Sequence, residues 1–219
     1  MNQLTVPAES DDPRDVLIAR LRVQLRQLGG QFAEVKQQIV VHEGVIRELR
    51  HRAEREPTTN LLRKEVVDME IARVLGALDA DELARTAILY FDIDDFGEFN
   101  KSFGHDEGDT VLRYVADIIR ANLRPGDFAG RGDQGDEFVL LLRDSSVEEA
   151  LLIGQTICSG IERRKRVAVT IDGEMKPYHI SVSVGVAACP SSETTFREWK
   201  ELADLDMLRR KKAKKDAKE

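Results

Sequence analysis

The chain has 219 residues, of which 42% are hydrophobic and 33% are charged, and its formal net charge is −7 at pH 7. This length predicts one or two structural units with a packed core, and the acidic balance argues against nucleic-acid binding, which requires a basic surface. We expect a cytoplasmic protein, because the sequence has no apolar run long enough to span a membrane, no secretory signal and no disulfide framework.

The N-terminal quarter is predicted to be a flexible lead over residues 1–14, followed by a long helix over residues 15–56. Proline, serine and aspartate favour disorder in the lead, although Asp12-Pro13 is also a suitable helix start. The helix has a heptad seam, which predicts a coiled coil for dimerisation and signalling. An amphipathic helix packed on the globular part is the alternative. The seam consists of Ile18, Leu21, Leu25, Leu28, Phe32, Val35, Ile39, His42, Ile46, Leu49 and Ala53.

Residues 57–219 are predicted to form one globular domain. A helix at about Leu61–Leu78 and a polar connection at Asp79–Arg85 come first. Strands are then predicted at about Thr86–Ile93, Phe128–Arg131, Glu137–Arg143, Val167–Ile171 and His179–Ala188, and helices at about Phe96–Lys101, Glu107–Leu123, Val147–Arg163 and Phe196–Lys212. Ser192 or Thr195 is expected to cap the last helix. The order βααββαββα predicts an α/β (α+β) fold with a mixed central sheet flanked by helices.

Two acidic pairs lie at the ends of predicted strands. Asp92-Ile93-Asp94 follows the apolar run Ala87–Phe91, and Asp136-Glu137 precedes the apolar run Val139–Leu142. Carboxylates at two strand ends can meet and hold a hard divalent cation through oxygen ligands. Such a cation can neutralise nucleotide phosphates, so the pattern points to phosphoryl or nucleotidyl transfer.

An ordered series of short motifs lies between Phe91 and Phe138, and weaker flanking segments extend the pattern from about Glu56 to Lys215. The series is Phe91-Asp92-Ile93-Asp94-Asp95-Phe96, Asn100, Phe103-Gly104-His105, Gly108-Asp109, Val111-Leu112, Arg124-Pro125-Gly126-Asp127 and Gln134-Gly135-Asp136-Glu137-Phe138. Together these motifs resemble the GGDEF-domain diguanylate cyclases, which join two GTP molecules into cyclic di-GMP. The resemblance implies a fold like that of nucleotidyl cyclases and polymerase palms, a homodimer that requires Mg²⁺ or Mn²⁺, and a bacterial cytoplasmic setting.

The resemblance also implies roles for individual residues. Asp92, the Ile93 carbonyl and Asp136 would ligate the metal, while Asp136 and Glu137 would be catalytic. The residues implied in GTP binding are Asn100 and Asp109 at the guanine edge, Phe103 and His105 around the base, and Gly135, Lys211 and Lys215 at the phosphates. Arg124 and Asp127 would form an allosteric site for the product.

The sequence departs from the family pattern at three points. Gln134 stands where the signature begins with glycine, and the interval from Arg131 to Gly135 is one residue longer and adds the charge of Asp133 near the phosphates. Gly97 replaces a lysine that commonly contacts phosphate. These departures can misplace carboxylates or remove a charged contact, which would slow the reaction. The acidic groups needed for the metal and the guanine-reading positions are all present, so an active cyclase is favoured.

Three alternatives to a diguanylate cyclase stay open at this point. The first is a catalytically degenerate receptor for cyclic di-GMP or GTP that signals as a dimer. The second is a purely structural dimerisation module, and the third is a cyclase or polymerase-like enzyme that uses another base. In the cyclase and receptor readings, an upstream sensor or regulatory protein is an expected partner of the coil.

Overall fold

The computed structural model describes residues 12–163, 167–171, 174–189, 191 and 194–216, without the side chains of 167–177, 214 and 215. The chain divides into two compact units, with the boundary between Ala53 and Glu54. Most of the predicted flexible lead, residues 1–11, lies outside the described residues.

Within its described residues the first unit consists of one helix, α1 (Pro13–Glu54), whose last residue lies just past the boundary. Asp12 caps it, because its carboxylate accepts a hydrogen bond from the Arg14 N–H at 2.8 Å. At 1.5 Å per residue, α1 is about 63 Å long. Its apolar seam is exposed, from 44% for Ile18 to 73% for Phe32. A long helix with an exposed seam is consistent with the predicted coiled coil.

The second unit contains the remaining described elements. Its helices are α2 (Lys64–Ala77), α3 (Ala80–Ala84), α4 (Phe96–Phe103), α5 (His105–Ala121), α6 (Val147–Arg163) and α7 (Phe196–Asp216). Its strands are β1 (Ala87–Ile93), β2 (Phe128–Arg131), β3 (Glu137–Leu142), β4 (Val167–Ile171), β5 (Glu174–Tyr178) and β6 (Val182–Ala188). Strands β2, β3, β1 and β6, in that order, form a four-stranded sheet, while β4 and β5 form a separate pair.

The predicted α/β class is confirmed, but the named strands of the central sheet pair antiparallel throughout, so the sheet is not mixed. Among the described residues, a parallel pairing occurs at the isolated bridge between Leu62 and Gly130 of β2. Strands joined by helical crossovers, such as β1 and β2 or β3 and β6, do run parallel to each other. Another strand always lies between them, however, because the β2–β3 hairpin places β3 beside β1. A crossover pattern in the sequence therefore did not imply parallel neighbours.

Helices cover both faces of the sheet. Alternate residues of β1 face opposite layers, so that Phe91 joins the core with Val115 of α5, whereas Tyr90 joins the core with Trp199 of α7. Burial on both faces explains why β1 and β3 read as continuous apolar runs. The Trp199 indole also donates to the Ala187 carbonyl at 3.0 Å, which fixes α7 against β6.

Several predicted boundaries are wrong. The connection at Asp79–Arg85 contains α3, whose first turn has a capping box between Asp79 and Glu82. The predicted strand at His179–Ala188 begins only at Val182, and β5 was missed because its lysine and proline argue against a strand. Residues 172 and 173, between β4 and β5, lie outside the described residues.

Helix ends also extend further than predicted. Helix α4 continues to Phe103, α5 begins at His105 and α7 continues to Asp216. Thr195 caps α7, since its hydroxyl accepts the Glu198 N–H at 3.3 Å and the Glu198 carboxylate accepts the Thr195 N–H at 2.8 Å. Ser192, the other proposed cap, lies outside the described residues. Among the described helices, none is both long enough and apolar enough to cross a bilayer.

Candidate active site

The two predicted acidic pairs lie at the same edge of the sheet. Asp92 at the end of β1 is aligned with Glu137 of β3 on one side and with Ser183 of β6 on the other. The Ile93 N–H donates to the Asp136 carbonyl at 3.3 Å, which joins the β2–β3 turn to the end of β1. Because aligned residues project to the same face, Asp92 and Glu137 both lie on the face that α7 covers.

The carboxylates of Asp92 and Asp136 interact electrostatically. Burial raises the pKa of Asp136 above its ordinary value, and the charge of Asp92 raises it further. Burial also raises the pKa of Asp92, against the opposing effect of Lys211. Like charges that are held together in this way are typical of functional sites.

The donor set fits a hard divalent cation. Two carboxylates and the Ile93 carbonyl offer oxygen ligands, which magnesium prefers. Within the described part of the chain, no group of three His, Cys, Asp or Glu side chains is arranged as a metal site. The expected set needs only Asp92 and Asp136 from the side chains, because substrate phosphates and water would supply the remaining ligands.

Lys211 of α7 lies against this edge. Its ammonium donates to Asp92 Oδ1 and lies 3.8 Å from Asp94 Oδ1. Burial disfavours the charge on Lys211, but the hydrogen bond and charge of Asp92 raise its pKa overall. Asp94 also accepts from the hydroxyls of Ser181 at 2.6 Å and Ser183 at 2.7 Å, so it is tied to β6. The side chain of Lys215, the second predicted phosphate ligand, lies outside the described side chains.

Glu137 is buried, with 8% of the residue exposed. Its Oε2 atom accepts hydrogen bonds from the Tyr90 hydroxyl at 2.6 Å and from the Gln134 N–H at 2.8 Å. Burial and the contact with Glu137 raise the pKa of Tyr90, so the phenol stays protonated and is the donor. Sequence reasoning missed Tyr90, since it reads as one more apolar residue of β1.

The longer turn between β2 and β3 does not leave an unbalanced charge. The Asp133 carboxylate accepts a hydrogen bond from Lys200 of α7 and lies 3.2 Å from the ammonium of Lys64 on α2. The expectation that Asp133 adds free negative charge near the phosphates therefore needs correction, because Lys200 pairs with it and Lys64, which also pairs with Asp68 at 2.5 Å, lies beside it.

The predicted guanine-reading residues are brought together by close packing of α4 on α5. A Cβ at Gly108 would lie 2.0 Å from Asn100 Oδ1, so only glycine fits there. Among the described residues, this buried Oδ1 atom has no hydrogen-bond partner. Asp109 follows Gly108 directly and is half-buried.

Phe103 and His105 lie at the junction of α4 and α5. The Phe103 ring is half-buried, with its centroid 4.9 Å from that of Phe99 and 5.0 Å from that of Tyr178. Its ring thus belongs to an aromatic cluster that supports α4. His105 is the exposed first residue of α5.

Arg131 lies at the centre of the hairpin and was missed as a site residue. It donates to the Gly135 carbonyl, and its guanidinium lies 5.0 Å from the centroid of the Phe138 ring. Burial lowers the pKa of Arg131, while the charges of Glu56, Asp136 and Asp109 act to raise it. Its place three residues before Gln134, where the signature begins, was the available signal. Gly135 itself is exposed, and a Cβ there would meet nothing within 4 Å.

Arg124 and Asp127 lie at the other end of the β2–β3 hairpin from Asp136. The Asp127 carboxylate has 2% of its side-chain surface exposed and lies 3.2 Å from Arg124 Nε. It accepts the N–H groups of Arg124 and Arg143, both at 3.0 Å. Arg124 also donates to the Ser145 hydroxyl at 2.6 Å. The pair thus closes the turn in this structure, and it is separate from the carboxylate edge.

Comparison with known proteins gives consistent matches. The family model described as "Diguanylate cyclase, GGDEF domain" matches residues 53–217. The diguanylate cyclase TpbB of Pseudomonas aeruginosa is 31% identical over 209 residues, which cover 93% of this chain and 46% of that protein. The bifunctional diguanylate cyclase/cyclic di-GMP phosphodiesterase MucR of the same organism is 31% identical over 165 residues, which cover 75% of this chain and 23% of that protein.

The chain thus spans less than half the length of either relative. A solved structure of the coiled coil and GGDEF domain of DgcB from Caulobacter crescentus, in complex with c-di-GMP, has a TM-score of 0.70 at 23% identity. The matched region covers 85% of this chain and 95% of the DgcB chain, and the likeness confirms the fold.

Proposed function

Because this chain belongs to the GGDEF-domain family of diguanylate cyclases, we propose that it condenses two GTP molecules into cyclic di-GMP and releases pyrophosphate. The observation that carries the proposal is the edge of the sheet where the Ile93 N–H donates to the Asp136 carbonyl and Lys211 donates to Asp92. There the charge of Asp92 raises the pKa of Asp136. Concentrated carboxylates beside a lysine suit a site for a cation and a polyphosphate.

Asp92, the Ile93 carbonyl and Asp136 would hold Mg²⁺ or Mn²⁺. When bound, such a cation neutralises charge on the triphosphate and on the departing pyrophosphate. Lys211 would exchange its contact with Asp92 for the phosphates, and Lys215 would support it. Glu137 would orient the attacking 3′-hydroxyl or accept its proton.

Asn100 and Asp109 would select guanine. A carboxylate accepts from the N1–H and N2–H₂ donors of guanine, and an amide can both donate and accept. Adenine has an acceptor at N1 and lacks the 2-amino group, so ATP would leave the Asp109 carboxylate and the buried Asn100 Oδ1 atom unpaired. The unpartnered Asn100 Oδ1 atom supports this assignment.

Formation of two phosphodiester bonds requires two sites that face each other. We propose a homodimer through the exposed seam of α1, which would raise the effective concentration of one site near the other. In this organisation residues 1–14 are a lead, 15–56 the coil and 57–219 the catalytic domain. An upstream sensor or regulatory protein would act by changing the register of the coil.

A receptor for cyclic di-GMP or GTP is the second candidate. It is favoured by Gly97, where the family commonly has a lysine and where this chain has open space. Arg124 and Asp127 would bind the product only if ligand replaced the hydrogen bonds that they now make with their own turn.

The test is incubation of the purified chain with GTP and Mg²⁺ or Mn²⁺, followed by chromatographic detection of cyclic di-GMP. Asp136→Ala should abolish product, whereas Asp117→Ala, which removes a carboxylate that is 72% exposed on α5, should not. GTP binding without turnover would favour the receptor, and equal use of ATP would contradict guanine selection. If neither nucleotide nor product binds, a structural dimerisation module is left.

A further inference from the structure

All three residues between Arg131 and Gly135 in the longer β2–β3 turn are engaged by the structure around them. Gly132 has no room for a side chain, because a Cβ there would lie 2.5 Å from the Cβ of Glu137 and 2.8 Å from the hydroxyl of Tyr90. The Asp133 N–H donates to the Tyr90 hydroxyl at 3.4 Å. The Gln134 N–H donates to Glu137 Oε2 at 2.8 Å.

The side chain of Asp133 ties the same turn to two helices. It accepts a hydrogen bond from Lys200 of α7, and the ammonium of Lys64 on α2 lies 3.2 Å away. The Lys200 ammonium also lies 5.3 Å from the centroid of the Tyr90 ring. Since these groups come from α2, β1, the turn and α7, the ion pair forms only when the whole unit is packed.

We propose that Tyr90 is a positioning residue for Glu137, and that the Asp133–Lys200 ion pair holds Tyr90 and the turn in place. Oε2 of Glu137 receives two donors, the Tyr90 hydroxyl at 2.6 Å and the Gln134 N–H. Two donors on one oxygen restrict rotation of the carboxylate, as a supporting shell must do for a reacting group. The catalytic consequence of this arrangement rests on the function proposed above.

The arrangement compensates for the longer turn. An extra residue adds conformational freedom to a loop, and a displacement of about 1 Å can reduce turnover about 100-fold. Here the extra residue is itself the anchor, because Asp133 supplies both the ion pair and the N–H that meets Tyr90. The longer turn is therefore compatible with a well-placed Glu137.

The first test needs no turnover. Hydrogen–deuterium exchange of the segment 128–138 is compared in the wild type, Tyr90→Phe, Asp133→Asn and Tyr114→Phe. The last variant is the matched control, since Tyr114 donates its hydroxyl to the Ile161 carbonyl at 2.8 Å, away from the turn. We expect Tyr90→Phe and Asp133→Asn to increase exchange in this segment at least about tenfold and the control to leave it unchanged.

The second test measures steady-state kinetics with GTP. Tyr90→Phe should lower kcat by about 10–100-fold and change KM by less than about twofold, because a misplaced general base affects the reaction more than binding. Lys200→Arg, which keeps the ion pair, should retain most of the activity. Lys200→Met removes the ion pair from the other side and should therefore have the same effect as Asp133→Asn.

The two tests separate this inference from the proposed function. Unchanged exchange in both Tyr90→Phe and Asp133→Asn overturns the positioning role, whether or not the wild type forms product. If the wild type forms no product, increased exchange still supports the role while the proposed activity fails. If the wild type is active and Tyr90→Phe retains full kcat, the inference is wrong.

Discussion

Replacing Lys211 by methionine should destabilise the protein in metal-free buffer. The Lys211 ammonium donates to Asp92 Oδ1 and lies 3.8 Å from Asp94 Oδ1. Methionine keeps the length of the side chain and removes its charge, so the two carboxylates lose their nearby cation. The Asp92 side chain is only 17% exposed and cannot recover full hydration.

The expected size of the effect follows from the burial of the pair. Removing one partner of a fully buried pair costs about 3–5 kcal/mol, and exposed pairs contribute about 0–1 kcal/mol. Lys211 is 37% exposed, which calls for a solvent-screened value of about 1–2 kcal/mol. For a unit of this size that corresponds to a fall in Tm of about 2–8 °C.

The loss of stability in Lys211→Met should also depend on pH. Burial raises the pKa of Asp92 even beside Lys211, and removal of the lysine should raise that pKa further. A carboxylate whose folded-state pKa is raised destabilises the fold when it is ionised, and this cost disappears as the pH falls through the raised pKa. The difference between variant and wild type is thus greatest at neutral pH and shrinks in acid.

The assay is thermal unfolding followed by circular dichroism in EDTA, with Lys212→Met as the matched control because Lys212 is the exposed neighbour of Lys211 on α7. Addition of Mn²⁺ should then raise the Tm of Lys211→Met more than that of the wild type, because the cation can replace the lost ammonium. A Tm within about 1 °C of the wild type in EDTA, or a difference that persists in acid, would refute the reasoning.

Three further changes test the site. Asp136→Asn should abolish turnover yet raise the Tm in metal-free buffer at neutral pH, since burial and Asp92 raise the pKa of Asp136. The gain in Tm should vanish as the pH falls through that raised pKa, and a Tm below that of the wild type would contradict the argument. Gly97→Lys places a cation in open space and should lower KM for GTP up to about tenfold relative to Gly97→Ala, measured by initial rates. Gly132→Ala should lower the free energy of unfolding in urea by about 1–3 kcal/mol, because a Cβ there would lie 2.5 Å from another side chain, whereas Gly135→Ala should change it little. An effect of Gly132→Ala as small as that of Gly135→Ala would show that the turn is not tightly packed.

Local patterns correctly predicted the elements in which the apolar residues of the sequence mark the buried face. The strand Phe128–Arg131 and the helix Val147–Arg163 have the predicted bounds, because period-2 and period-3.6 apolar patterns reflect which face is buried. The missed strand β5 depends instead on pairing with β4, which no local signal in Lys176 and Pro177 reveals.

The site follows the same division. The motif series located Asp92 and Asp136, since the position of a carboxylate at the end of a strand can be read from the sequence and does not depend on how the strands pack. It did not reveal that Glu137 is buried beneath Tyr90, because in the sequence Tyr90 continues an apolar run.

The sequence by itself determined the order of elements other than α3 and β5, the carboxylates at the strand ends and the family to which the chain belongs. Only the tertiary structure decided that the sheet is antiparallel and that the longer turn is anchored. The contact between Asp133 and Lys200 joins residues 67 positions apart, so it exists only after α7 has packed on the sheet. Secondary structure follows from neighbours along the chain, whereas the balance of buried charge follows from groups that folding brings together.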